Sequence, residues 1–426
     1  MVSSKKIKSL FDNSKLDLNP SLSSEFPDWF QDFKQKSLDQ FMAHNIPSVA
    51  DSEWEYTKID SLLALLFNRE VLNRIDPKDL PDKSIESDND AICIHFHNGQ
   101  YFASSDLPDH IMIFSKTHDK DIFKHLFKLD INPQRSFLSA MNSIIFSDTL
   151  LIKTLQNQKV DTEIHIINHS HYDSIIAPRL HIHVAENSSL KVFEHVKSST
   201  QSVISHLMTI FCEADSDLEF YKLIEQQEDT HFLSTQTVQM AENSKANFFS
   251  WDFGGNTSTT NTLAELNGKK SDFHYSALFT PSDDHHSGNH LRVEHKANKT
   301  KSRIKIRGVL NDQSKGVFFG KIKVNENVLG TSAFMENKNL LISDDATIST
   351  QPILEIYNDD TECSHSATSG SIDEEKLFYI QSRGIPEIEA KQYLIGSFIK
   401  ELINEITNIK IKTLLQNNFQ YIDNQS

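Results

Sequence analysis

Ala185-Glu-Asn-Ser-Ser-Leu-Lys-Val192 is followed by Glu213-Ala-Asp-Ser-Asp-Leu-Glu-Phe220, by Ala241-Glu-Asn-Ser-Lys-Ala-Asn-Phe248 and, more loosely, by Leu266-Asn-Gly-Lys-Lys-Ser-Asp-Phe273. The four starting points lie 28, 28 and 25 residues apart. Each unit is a polar turn followed by a short apolar run, and a fixed period in this range marks a stacked solenoid. The runs are too short for helices. Thr237-Val-Gln-Met240 before one turn and Asn247-Phe-Phe-Ser-Trp251 after it alternate with period two, as strands do. One rung cannot bury its own apolar face, so rungs must stack, and the ends of the stack need caps against edge-to-edge pairing.

Outward from these repeats, strand-like runs occur at 149–153, 163–168, 179–184 and 190–196, and again at 303–307, 317–324, 339–342 and 353–356. Asn311-Asp312, Asn325-Glu326 and Ser343-Asp344-Asp345 separate the later ones. Before the repeats, Phe30, Phe33, Leu38, Phe41 and Met42 recur at helical intervals, Pro47 breaks the pattern, and Trp54, Tyr56 and the apolar run 62–67 follow. Residues 80–89 have loop composition, 92–97 and 111–114 read as strands, and a helix is expected over 137–145 in an otherwise undecided stretch. After the repeats, Pro386 suits a first helical turn and Glu387 and Glu389 suit its positive end. Leu394, Phe398, Leu402 and Ile406 then recur every four residues, widened by Ile395, Ile399 and Ile403. The expected fold is mainly β with α-helical ends: a single-stack parallel β-helix at 149–370, between a helical region at 1–80, a mixed connecting region at 81–148 and a helical domain at 371–426.

Composition narrows the function. Among 426 residues only 12 are Gly, and neither a Walker-type phosphate loop nor a dinucleotide-binding glycine motif occurs, so no nucleotide is expected to bind by those motifs. A net charge of −17, from 42 basic and 59 acidic residues, disfavours a nucleic-acid partner. Three widely spaced Cys do not make a disulfide framework. With no apolar stretch long enough for a signal peptide or a membrane span, the expected location is cytoplasmic.

The stretch Asp359–Gly384, DDTECSHSATSGSIDEEKLFYIQSRG, contains Cys363 and His365 two residues apart. On an extended strand both side chains face one way. Thiolate and imidazole are ligand types of zinc and iron–sulfur centres, but two donors do not complete either. The missing donors come from elsewhere, or the pair is an ordinary buried Cys beside a satisfied His. His95 with His97, and His181 with His183, share a strand face in the same way but have no third acidic or Cys ligand at a supporting spacing, and Asp283-Asp284-His285-His286 reads first as a solvated turn. A different class of function also fits a β-solenoid: polysaccharide cleavage by paired carboxylates, with Asp344, Asp345, Asp359 and Asp360 as the candidates.

His290-Leu-Arg-Val-Glu-His295, Gly308-Val-Leu, Gly316-Val-Phe-Phe-Gly320, Asn337-Lys-Asn-Leu-Leu341, Gln351-Pro-Ile-Leu-Glu-Ile-Tyr357, Phe378-Tyr379 and Ser382-Arg-Gly-Ile385 occur in an order that closely resembles the SufD branch of the SufB/SufD superfamily, subunits of the SUF iron–sulfur cluster assembly machinery. Glu53-Trp54-Glu-Tyr56-Thr57 resembles that family's entry motif. The resemblance implies a non-catalytic, scaffold-associated subunit with a β-helix core. It would pair with a SufB-like scaffold through the β-helix and dock a SufC-like ATPase, the site of ATP hydrolysis, through its carboxy-terminal helices. A transient iron–sulfur cluster would be shared with the SufB-like partner, with His365 and Cys363 as candidate ligands or neighbours at the junction. Arg383, Leu394, Phe398 and Leu402 become candidate partner-binding residues, and the isolated chain could pair with itself as a homodimer. Ser366 replaces the glycine usual after the Cys-Ser-His triplet, which touches the turn after His365 but not the ligand atoms, and Met335 stands where a glutamine is common. The nearest rival within the superfamily is a SufB-like scaffold.

Overall fold

The computed structural model describes residues 28–43, 91–103, 107–114, 120–130, 137–146 and 148–422, apart from 161, 171–174 and 199–200. The motif around Trp54 and the apolar run 62–67 lie outside the described residues. Two long sheets face each other. The first stacks Ala91–His97, Glu163–Ser170, Ser189–Ser198, Asp217–Glu225, Lys245–Asp252, Asp272–Phe279, Lys301–Leu310, Thr331–Leu341 and Thr361–Ser371, every neighbouring pair parallel. The second stacks Leu150–Lys153, Arg179–Val184, Val203–Cys212, His231–Met240, Thr257–Leu266, His286–His295, Lys315–Val324 and Thr347–Ile356, also in parallel. At the amino-terminal end Gln100–Ala103 and Ile111–Ile113 each add an antiparallel strand. The chain passes alternately between the sheets, forming a parallel β-solenoid of about seven turns. Its sheets begin at Ala91–His97, inside the segment expected to lead into the solenoid.

The repeated polar motif is the corner from the second sheet back to the first. Its third residue carries a positive φ: Asn187 at 53°, Asp215 at 56° and Asn243 at 54°, a conformation that Asn and Asp tolerate best after Gly. The serine that follows turns inward and donates its hydroxyl hydrogen to the first carbonyl of the motif, Ser216 to Glu213 at 2.7 Å and Ser244 to Ala241 at 2.8 Å. Successive corners then stack by backbone bonds, Asn187 N–H to the Ala214 carbonyl and Asp215 N–H to the Glu242 carbonyl, both 2.9 Å. The fourth corner is two residues out of phase with the sequence match. Leu266 is not a turn residue but the last inward residue of a strand, level with Met240. Gly268 takes the place of Ala241, and a Cβ there would lie 1.9 Å from the Glu242 nitrogen. Only glycine lets the two corners approach so closely.

Between the sheets, inward residues such as Val192, Phe220, Phe248, Ile304, Ile210, Val238 and Val293 form one continuous core. The lumen is not apolar throughout. Glu194, on the first sheet, accepts from His206 Nε2 at 2.8 Å and Asn168 Nδ2 at 2.6 Å, and its other oxygen lies 3.4 Å from Lys222 Nζ. All three charged or titratable side chains have 0–1% exposure. Burial alone would raise the Glu194 pKa, but His206 and Lys222 reverse this and hold it at about 2.

Helices cover the outer faces. Helix α1 (Asp28–Ala43) has the expected helical phase and buries Phe30, Phe33 and Phe41. With α2 (Lys120–Asp130) and α3 (Phe137–Ile145), it packs on Leu151, Ile175, Val203 and Leu233 at the start of the second sheet. The helix expected over 137–145 is therefore present, and the undecided stretch before it contains a second one. At the other end α4 (Glu374–Gln381), α5 (Glu387–Asn404) and α6 (Ile409–Ile422) follow the last strand. Ile399, Leu402, Ile403, Ile406, Ile411 and Leu415 from this end fill an aromatic surface on the outside of the first sheet, made by Phe193, Tyr221, Phe249 and Trp251. Arg307, almost fully buried, pairs with Glu336 beside it and with Glu401 on α5 at 2.8 Å. No described helix is long and apolar enough to cross a membrane.

Candidate functional site at the open end of the solenoid

Cys363 and His365 lie on Thr361–Ser371, the last strand of the first sheet. Cys363 is level with Ala333 and His365 with Met335, both inward core residues of the preceding rung. Cys363 packs partly against that core, and strand periodicity directs His365 to the same inner face. Among the described residues no further strand covers the rung. Thr361–Ser371 ends the first sheet and Thr347–Ile356 ends the second, so their outer edges keep unpaired backbone groups. The last strand is exposed along almost its whole length, whereas those behind it are largely buried. The pair expected from spacing alone is thus placed at the mouth of the lumen.

The chemistry there is incomplete. The Cys363 thiol is held above its usual pKa by burial, only partly offset by hydrogen bonds from Thr361 and the Ala333 backbone. A protonated thiol must lose its proton to ligate a metal. Among the described residues no group of three or more His, Cys, Asp and Glu side chains is arranged to hold a metal ion. The two donors sit on the inner face of the last rung, next to the open mouth.

The other candidates fall elsewhere. His95 and His97 share the outer face of the first strand with ring centroids 5.9 Å apart, and His97 has His169 beside it at the same distance. His183 is bonded through Nε2 to Glu213 at 2.6 Å, an acidic partner from the next rung that sequence spacing did not suggest. Asp283 and Asp284 do form a turn, but His286 and His290 belong to the strand after it and are buried. Asp344 and Asp345 occupy the corner from the first sheet to the second, Asp359 and Asp360 the opposite corner. They do not flank one groove, as paired acid–base hydrolysis requires. A cleft of about 280 Å³ between α2 and the second sheet, lined by His125, Phe211 and Gln239 among others, lies apart from the mouth.

At the carboxy-terminal end, Leu402 is 1% exposed in the chain's own core and Phe398 and Leu394 are half-buried, so the inner side of α5 is occupied by the solenoid. The solvent side carries Ile388 and Tyr393, and α4 adds Phe378 at 72% and Tyr379 at 58% exposure. Arg383 lies over the Tyr379 ring, 4.7 Å from its centroid, and donates to its hydroxyl. An exposed aromatic and aliphatic surface on α4–α5 therefore stands beside, not on, the residues whose periodicity is most visible.

The profile of the SufBD core domain, described as SUF system FeS cluster assembly, matches residues 165–398, more than half of the chain. The chain belongs to the SufBD family. Its relatives in that family include the iron–sulfur cluster assembly protein SufD of Escherichia coli, 27% identical over 398 residues covering 89% of each chain. A SufBD family protein of Staphylococcus saprophyticus is 22% identical, covering 90% of this chain and 87% of its own. One from Synechocystis is 21% identical, covering 88% and 86%. The SufBD match begins within the strand Glu163–Ser170 and ends within α5, so it covers most of the solenoid, the open mouth, α4 and the larger part of α5.

Proposed function

We infer that this chain is a non-catalytic, SufD-like subunit that assembles iron–sulfur clusters together with a SufB-like scaffold and a SufC-like ATPase. The observation that carries this is the open mouth: an inward-facing Cys–His pair, short of a full ligand set, on an unpaired edge strand. A second solenoid stacked on that edge would satisfy the edge backbone and bring further donors to Cys363 and His365. The cluster is cargo in this scheme, formed at the junction and passed on. The exposed apolar and aromatic side chains of Phe378, Tyr379, Ile388 and Tyr393 on α4–α5 supply the docking face for the ATPase. Arg383 borders it, Leu394 is half-buried on α5, and Phe398 and Leu402 anchor α5 to the solenoid. The SufB-like alternative differs in which chain supplies most of the ligands. The test is co-expression with SufB-like and SufC-like partners. The wild type should elute as a heteromeric complex, Ala367→Pro on the edge strand should release the SufB-like partner, and Tyr393→Asp should release the ATPase. Co-elution of both variants with both partners would refute the assignment of these surfaces.

A further inference from the structure

Behind the mouth the lumen is filled by apolar side chains, Ile304, Ile306, Phe318 and Leu291 among them. In the last two rungs its lining becomes polar again. Asn337 and Asn339, on Thr331–Leu341, have 0% and 4% exposure. Their side-chain amides bond to each other in both directions, at 3.1 and 2.7 Å. Thr350, on the last strand of the second sheet, donates to Asn337 Oδ1 at 2.8 Å. Asn339 Nδ2 also reaches Ser369 Oγ at 3.2 Å and the Thr368 carbonyl at 3.5 Å, both on the edge strand. Four side chains thus join both sheets and the edge strand across the lumen. The preceding rung makes room for them: a Cβ on Gly308 would lie 2.7 Å from Asn339 Oδ1.

Apolar packing cannot hold a terminal rung well, because half of each contact surface faces an open mouth. Directional hydrogen bonds act whether or not the mouth is covered. Asn337 is level with Ala367, two residues from His365 and four from Cys363 along the same inner face. We propose that Asn337, Asn339, Thr350 and Ser369 are positioning residues of the mouth, fixing the edge strand so that Cys363 and His365 are held in one register for an incoming chain. This rests on the cluster-junction function for its purpose, but not for its geometry.

Cys363 itself reports the test, because Cys93 and Cys212 are buried and serve as internal controls. In the full-length protein, alkylation of each cysteine by iodoacetamide is followed by peptide mass spectrometry. Thr350→Val, which keeps shape and removes the hydroxyl, and Asn337→Leu should each raise the Cys363 rate about tenfold, the size expected from losing one buried hydrogen bond. Thr350→Ser should restore the wild-type rate, and Cys93 and Cys212 should stay slow throughout. An unchanged Cys363 rate in folded Thr350→Val overturns the proposal, as does a parallel rise at all three cysteines. Should Asn337→Leu fail to fold, the Thr350 pair decides. Iron uptake by the complex with the SufB-like partner is measured on the same variants. If Cys363 alkylation rises in Thr350→Val while uptake is unaffected, the network still positions the strand but its purpose at a cluster junction is refuted.

Discussion

Replacing Lys222 by methionine tests how the solenoid tolerates charge in its lumen. Lys222 is 1% exposed and Glu194 fully buried, so removing the ammonium leaves a carboxylate facing a histidine whose protonation is itself opposed by burial. Breaking one side of such a buried pair costs about 3–5 kcal/mol. An independent route gives the same order. Glu194 is held at about 2 against an ordinary 4.5, and at 1.36 kcal/mol per pKa unit this is worth about 3 kcal/mol, shared between His206 and Lys222. The sign follows from the depressed value: this stabilisation is complete above pH 4.5 and is lost as pH falls toward 2. Urea unfolding at pH 7, followed by far-UV circular dichroism, should show Lys222→Met destabilised by about 3 kcal/mol or more. The double variant Glu194→Gln, Lys222→Met should recover most of that loss, because a neutral amide needs no counter-charge. If the single variant lies within about 0.5 kcal/mol of wild type, or the double is no better than the single, the triad does not work as described.

Two further perturbations follow from the corners and the core. Gly268→Ala forces a backbone shift between stacked corners and should cost at least about 2 kcal/mol, against about 1 kcal/mol for Ser244→Ala, which removes one turn hydrogen bond; urea midpoints compare them directly. His295, fully buried between Thr300 and Ser302 hydroxyls at 2.8 and 3.0 Å, is pushed by burial down to about 4. The unfolded chain takes up this proton near pH 6.5 and the fold resists it, so stability should fall by about 2–3 kcal/mol between pH 7 and pH 4.5, and His295→Gln should flatten that slope.

The fold was legible in sequence wherever local chemistry repeats. The motif Ala-Glu-Asn-Ser exposes its own mechanism, an Asn able to adopt positive φ and a Ser that closes the turn, and its period alone requires stacking. The phase was lost at Leu266 because a strand end and a turn start look alike when the matched residue is apolar; the close approach that demands Gly268 exists only between rungs. Glu194 and Lys222 fall on the inward phase of their strands, yet nothing nearby in sequence says that His206 comes across from the other sheet to meet them. The wide stripe on α5 left its inner face undetermined, since that choice is made by Phe193, Tyr221, Phe249 and Trp251 on three separate strands. Cys363 and His365 were visible as a pair from spacing, but their place on the open rung and the asparagine network behind them follow only from strand stacking.

The most direct test of the central claim is iron and sulfide loading of the complex reconstituted with SufB-like and SufC-like partners, comparing wild type with His365→Ala at matched stoichiometry. His365 is exposed at the mouth, so the variant should fold and its complex should assemble normally. It is predicted to load little or no cluster, as judged by iron content and visible absorbance. Equal loading of wild type and His365→Ala would contradict the account, since the open mouth would then form no part of the cluster site.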